Sequence, residues 1–469
     1  MHRVAVYSTA LAADNQAAAR ATQIRQHAPR AVNVAAQSRT SLVPKFRSRI
    51  RPIPCRETPL TPGLLVAAAC VLFSLLASPR LCAQSVPAPA APNGQALTGI
   101  DVLEAENFQP LAGKHVGLIT NQTGVDREGR STIALLAHAP GVKLVALFSP
   151  EHGLAGAADA SVPSSVDPTT GLPIYSLYGE TKRPTDAMLN GVDALVFDLQ
   201  DAGVRFYTYV TTMGYAMEAA AGHHIAFYVL DRPDPLGGAR VEGPMLDPDR
   251  TSFTAYFPMP VIPGMTLGEM ARMFNAENHI GCDLHVIEMN YWNRAEWFDR
   301  TGLKWISPSP NLRSLQAELI YPGLEILQNA GVSVGRGTST PFEQFGAPWI
   351  HAQQLLDELD RHEIPGVRLS PAQFTPASGL HQGELCEGVR IEVTDRAAFD
   401  PMRLGFEIAS SLRQLYPANF DPQKMMLLLG SQTTVDQLAR GDAPPAIAAS
   451  WKESLAPFMA MRAKYLLYP

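Results

Sequence analysis

The stretch Val142-Lys143-Leu144-Val145-Ala146-Leu147-Phe148-Ser149-Pro150-Glu151-His152-Gly153 decides the fold. Its first seven residues, apolar except for Lys143, have the length and character of a buried strand. A carboxylate and an imidazole follow at once, behind a proline and ahead of a glycine. Open α/β sheets bind ligands outside the carboxyl ends of their strands. The pair therefore stands where the acid–base groups of such an enzyme stand.

Outward from this stretch the pattern repeats. Apolar runs at residues 115–120, 194–199 and 225–230 read as three more strands, and residues 131–138, 186–189 and 211–221 read as helices between them. Alternating runs and helices predict βαβ units, hence a Rossmann-like, mainly parallel sheet over residues 98–260. Pro258, Pro260, Pro263 and Gly264 then suggest a boundary. Beyond it Thr266-Leu267-Gly268-Glu269 opens a helix with a capping-box pattern, running to about Asn278. Short strands at 283–288 and 389–394 and helices at 352–359 and 402–416 follow. The expectation is a smaller α+β C-terminal domain over residues 261–469 that completes a cleft.

Each of the four runs ends in a polar cluster. Thr120-Asn121-Gln122-Thr123-Gly124 follows the first and Ser149–Gly153 the second. Asp198-Leu199-Gln200-Asp201, leading to Arg205, Tyr207 and Tyr209, follows the third. Asp231-Arg232-Pro233-Asp234 follows the fourth. Singly such segments are turns, since Asn, Asp, Gly and Pro make turns. On one rim of a parallel sheet they form a cleft for a hydroxyl-rich ligand.

Glycoside hydrolysis needs a carboxyl that protonates the leaving oxygen, usually with a second carboxylate. Glu151 is the natural acid, and Asp198, Asp201 and Asp231 are the available second groups. His152 could tune Glu151, contact a sugar hydroxyl or act as a base; a packed loop histidine is the plain alternative. Tyr207 and Tyr209 share one face if the segment is extended, and would stack on a sugar or pack. Arg205 could bind a ligand carboxylate or form an internal ion pair. Gly335-Arg336-Gly337-Thr338 could hold an anion through side chain and backbone.

Other chemistries are disfavoured. There is no Gly-x-Gly-x-x-Gly after a strand, no P-loop, no His-Glu-x-x-His and no Cys-x-x-Cys, so no nucleotide, nicotinamide or metal cofactor is expected. Gly331-Val332-Ser333-Val334-Gly335 fits the serine nucleophile elbow, which needs a strand before it and a helix after. Here a helical pattern precedes it and a Gly/Pro-punctuated segment follows.

The N-terminus is of another kind. Residues 1–83 carry a net charge of +9 against −6 for the whole chain, leaving −15 on residues 84–469. So acidic a body is a poor partner for nucleic acid, whose binding rests on cations. Residues 64–77 form an apolar run too short for a membrane span and suited to a signal peptide, with Leu81-Cys82-Ala83 as a cleavage site. The long basic segment ahead of it reads as a start codon called too early, a basic extension or a single anchoring helix. Residues 84–97 read as a linker. Export to the periplasm or beyond is expected. Past the leader only Cys282 and Cys386 remain, as one disulfide or two thiols.

Taken together, Gly117–Gly124, Ser149–Gly153, Gly171–Gly179, Asp198–Tyr209, Asp231–Gly238, Val241–Pro244, Gly335–Thr338 and Gly346–Trp349 resemble the NamZ-type exo-β-N-acetylmuramidases, a bacterial family long catalogued without a function. The resemblance runs from about Gly99 to the C-terminus. It implies an exported enzyme of peptidoglycan recycling that removes β-1,4-linked N-acetylmuramic acid from non-reducing ends of glycan fragments. It places Glu151 on the family's proposed catalytic glutamate and His152 beside it. The expected catalytic set is Glu151, His152 and Asp198. The expected sugar-binding set is Asn121, Gln200, Asp201, Arg205, Tyr207, Asp231, Arg336 and Thr338, with Arg336 and Arg205 the candidates for the lactyl carboxylate. The partner is a peptidoglycan-derived disaccharide or oligosaccharide, and no stable protein partner is inferred. Two other readings stay open: a non-catalytic binding protein for cell-wall fragments, and a hydrolase using Ser333.

Overall fold

A computed structural model describes residues 94–158 and 161–469. The expected leader and most of the linker lie outside the described residues. The end of that linker is already built into the fold: Ala96 is buried, its N–H donates to Thr301 O (3.1 Å), and Leu97 bridges to Asn290.

Six parallel strands and one antiparallel edge form the large sheet. In chain order they are β1 (His115–Thr120), β2 (Lys143–Ser149), β3 (Ser165–Val166), β4 (Pro173–Ser176), β5 (Ala194–Asp198), β6 (Ala226–Leu230) and β9 (Leu284–Ile287). The spatial order is β3-β4-β2-β1-β5-β6-β9, with only β3 antiparallel. Every residue of β5 and β6 is buried, which explains why they read as continuous apolar runs rather than alternating ones. Period two still sorts their neighbours: Leu118 of β1 joins the core on one face and Ile119 the core on the other. The helices α1 (Gly99–Ala105) and α2 (Thr132–Ala137) contribute Ile100, Leu103 and Leu136 to the first face. Helices α4 (Thr208–Gly222) and α5 (Leu267–Glu277) cover the second, and the short α3 (Asp186–Leu189) precedes β5. The winding reverses between β1 and β5, so the switch-point crevice opens beside the loops after these strands.

Helix α5 starts as the sequence predicts. Thr266 Oγ1 accepts from Glu269 N (3.2 Å), and Glu269 Oε2 accepts from Thr266 N (3.1 Å). However, α5 and β9 lie past residue 260 and complete the large sheet, so the prolines at 258–263 do not mark the end of that domain. Pro260 instead opens the buried strand β8 (Pro260–Ile262), paired with β7 (Glu242–Met245), at a strand start where a missing N–H is tolerated.

The C-terminal part begins with α6 (Leu315–Leu324) and a 3₁₀ turn (Glu325–Ala330). A three-stranded antiparallel sheet follows, in the order β10 (Gln344–Ala347), β12 (Cys386–Val393), β11 (Val367–Phe374). Helices α7 (Ala352–Asp360), α8 (Pro401–Leu415), α9 (Met426–Leu429), α10 (Gln432–Arg440) and α11 (Pro444–Arg462) complete it. Helices α6 and α8 approach so closely that a Cβ on Gly405 would meet the Gly323 carbonyl at 2.2 Å. One buried core runs from Phe148 through Phe345 to Phe458 and joins this part to the second face of the large sheet. Among the described residues no helix is long and apolar enough to cross a membrane.

Ser333 does not sit on an elbow. It is buried, follows a 3₁₀ turn, and exchanges backbone hydrogen bonds with Gly346 (2.9 Å each). The serine-hydrolase reading fails on that geometry. Cys282 and Cys386 are separate buried thiols.

Candidate active site

Strand β2 ends at Ser149, and the next turn carries Glu151, half-buried, at the sheet's carboxyl rim. Thr208, the first residue of α4, donates its hydroxyl to Glu151 Oε2 at 2.6 Å. His152 adopts φ +71° and Gly153 φ +74°. A left-handed histidine costs strain, and such residues cluster at functional sites. The His152 Nδ1 lies 2.7 Å from Ala158 O. A carbonyl only accepts, so Nδ1 carries a hydrogen.

An aromatic wall stands behind Glu151. The segment that would put Tyr207 and Tyr209 on one face if extended turns helical from Thr208, with Tyr207 as N-cap of α4. The two rings still meet, edge to face at 4.7 Å, Tyr207 keeping extended dihedrals just ahead of the helix. Tyr321 of α6 packs edge-on to Tyr207 (6.3 Å) and to Phe342 (4.8 Å). Tyr209 OH donates to Pro308 O (2.7 Å), which draws residues 307–308 across the rim. One helical turn beyond Tyr321, Glu325 accepts from Arg336 Nη2 at 2.7 Å. Burial raises the Glu325 carboxyl above the usual carboxylate range; Arg336 opposes the rise, and the charge of Glu151 adds to it. Glu151 acts in the same sense on Tyr209 and Tyr321. Thus Glu151, Glu325, Tyr209 and Tyr321 form one electrostatic neighbourhood.

Several expected site residues serve the scaffold. Asp198 is fully buried and pairs with Arg232 (2.6 Å to Nε, 3.0 Å to Nη2), while Thr132 donates to it as well. Fully buried and neutralised by Arg232, it has no access to a ligand and serves the scaffold. Asp231, also fully buried, accepts from Gly268 N (2.8 Å), Thr266 Oγ1 (2.7 Å) and Tyr468 OH (2.6 Å), and so anchors α5 and the C-terminus. Burial pushes its carboxyl up to about 6. Arg205 is the largest fully buried side chain. It donates to the carbonyls of Pro244, Met259, Leu428 and Leu429, tying the sheet to the C-terminal helices rather than holding a sugar. Asn121 braces the wall: its Nδ2 donates to Tyr209 OH (2.7 Å), and its Oδ1 accepts from Thr123 N and Oγ1. Thr338 closes its own turn, donating to Gly335 O (2.6 Å).

Two residues face elsewhere. Gln200 donates to Pro233 O (2.9 Å) and lines a cavity of about 340 Å³ with Thr123, Arg127, Arg232, Phe298 and Lys304, at the ends of β1, β5 and β6. Asp201 is buried, its carboxyl pushed up to about 7 by desolvation. It repels Asp234 and Glu318, which burial raises well above the carboxylate range. Among the described residues no group of three or more His, Cys, Asp or Glu side chains could hold a metal ion.

Of the expected set, then, Glu151, His152, Tyr207 and Arg336 belong to the rim wall. Thr208, Tyr321 and Glu325 belong there too and were missed. A threonine at a helix start carries no signal of its own, and Glu325 lies in a stretch read only as helix, 174 positions from Glu151 by their numbers.

Comparison with known proteins identifies the family of the whole described body. The family description "Exo-beta-N-acetylmuramidase NamZ, N-terminal" matches residues 116–316, and its C-terminal counterpart matches residues 319–468. The chain is 43% identical over 376 residues to the peptidoglycan beta-N-acetylmuramidase NamZ of Bacillus subtilis (strain 168), covering 79% of this chain and 91% of that protein. Two DUF1343-family proteins of Bacteroides fragilis NCTC 9343, known as crystal structures, share the fold. One has a TM-score of 0.75 and 38% identity, covering 81% of this chain and all of the other. The second has a TM-score of 0.64 and 29% identity, covering 80% and 99%.

Proposed function

We infer the chemistry of this chain from its membership: it belongs to the exo-β-N-acetylmuramidase NamZ family. It is a glycoside hydrolase that releases β-1,4-linked N-acetylmuramic acid from the non-reducing ends of peptidoglycan fragments. The observation that carries the residue assignment is Glu151, set past the end of β2, held by the Thr208 hydroxyl and backed by the tyrosine wall.

In this reading Glu151 gives its proton to the glycosidic oxygen as the bond to C1 breaks. Thr208 fixes the carboxyl's orientation. His152, with Nδ1–H on Ala158 O, is held in a fixed orientation next to Glu151. Arg336 is the cation on the wall suited to the lactyl carboxylate. The basic segment and apolar run before residue 84 support export. The test is a disaccharide pair. N-acetylmuramic acid at the non-reducing end of the β-1,4 link is released as free sugar; the isomer with N-acetylglucosamine at that end is left intact. Binding of both by calorimetry with no product from either would favour a binding protein instead.

A further inference from the structure

The site needs a second group, and the acids expected for it are engaged elsewhere: Asp198 with Arg232, Asp231 at the start of α5, and Asp201 in the interior. Glu325 remains. It stands one helical turn past Tyr321, whose ring packs on Tyr207, and Tyr207 adjoins the Thr208 that holds Glu151. Its Oε1 is taken by Arg336 (2.7 Å), while its Oε2 is buried and has no partner among the described residues. An orphaned buried acceptor costs about 1–3 kcal/mol, and native structures keep few of them.

We propose that Glu325 is the second catalytic carboxylate of this site, held in place by Arg336 and accepting the proton shed by the attacking water. The proposal rests on the glycosidase reading above. The step balances without a cofactor. Glu151 gives its proton to the leaving oxygen, which takes the electron pair of the breaking C1–O bond. A water lone pair forms the new C1–O bond, and that water's proton passes to Glu325. Solvent exchange then resets both carboxyls. Arg336 and Glu151 act on the Glu325 carboxyl, Glu325 in turn acts on Tyr321, and Arg336 is the one that favours its anion.

The experiment measures Glu325→Gln, Glu325→Ala and wild type on an aryl β-N-acetylmuraminide across pH, with melting curves alongside. Glu325→Gln is expected to lower kcat by about 10²–10⁴-fold, with KM within a few-fold of wild type and the melting temperature held. The acidic limb of the kcat/KM profile should vanish, since no base is left to deprotonate. Azide, which needs no base, should restore turnover in Glu325→Ala and yield the glycosyl azide. A loss confined to KM, or an acidic limb kept in Glu325→Gln, overturns the proposal. If the glutamine variant is poorly folded, failure of azide to rescue a folded alanine variant overturns it as well. A wild type that releases no sugar would overturn the underlying reading instead, so the two failures are separable.

Discussion

Two parts of one sheet rim carry the same sequence signal and use it differently. An acid follows β2 as Glu151, and acids end or follow β5 and β6 as Asp198 and Asp231. The β5 and β6 acids are fully buried and surrounded by donors: Arg232 and Thr132 on Asp198, Gly268, Thr266 and Tyr468 on Asp231. Glu151 is half-buried with the Thr208 hydroxyl on one oxygen. A fully buried acid whose two oxygens both accept from protein donors fixes structure. One with an oxygen to offer and access to the cleft can do chemistry. Position at a strand end nominates a carboxylate, and its partners decide its role.

Exchanging charge for amide at the two positions should give opposite results. Glu151→Gln should lower kcat on the natural disaccharide by about 10³-fold or more while leaving the melting temperature unchanged. Asp198→Asn should destabilise the fold by about 3–5 kcal/mol, because it strands the Arg232 charge in a buried site. Denaturant titration and initial rates on both variants would check this. Equal effects of both kinds in both variants would erase the contrast.

A smaller effect sharpens the wall's role in recognition. Arg336→Ala should cut the preference for N-acetylmuramic over N-acetylglucosamine glycosides by roughly 10–100-fold in kcat/KM, the worth of a charge-assisted hydrogen bond. Unchanged selectivity with a uniform loss of rate would assign Arg336 to Glu325 alone.

The smallest effect concerns the buried acid Asp201. Its native carboxyl sits at about 7, above the unfolded value near 3.8. The folded state therefore binds that proton more tightly, and its contribution is full below the unfolded value and lost as pH rises through about 7. Asp201→Asn should raise the melting temperature by roughly 2–5 °C at pH 8 and much less at pH 4.5. Thermal melts at the two pH values check the sign. Asp234 and Glu318, which repel Asp201, would share in the response.

Local features were legible in the sequence. Strand β1 falls on residues 115–120 as its apolar run indicates, and the Thr266–Glu269 box opens α5 where its pattern sets it. The mainly parallel sheet followed from alternating runs and helices. Partnership across long separations stayed hidden. Arg205 looked like a ligand cation because its acceptors at Leu428 and Leu429 lie more than two hundred positions away. Asp198 looked free because Arg232 reaches it only once β5 and β6 pair. The prolines at 258–263 looked like a boundary, since no local pattern shows β9 returning to pair with β6. Glu325 went unnoticed because its neighbourhood with Glu151 exists only in the folded chain.

The direct test of the central claim is leaving-group dependence in Glu151→Gln. A proton donor matters most where the departing oxygen is a sugar alkoxide and least where it is a nitrophenolate. The account predicts a loss of about 10³-fold or more on the natural disaccharide, shrinking by at least ten-fold on the nitrophenyl glycoside. An equal loss on both substrates would contradict the assignment of Glu151 as the acid.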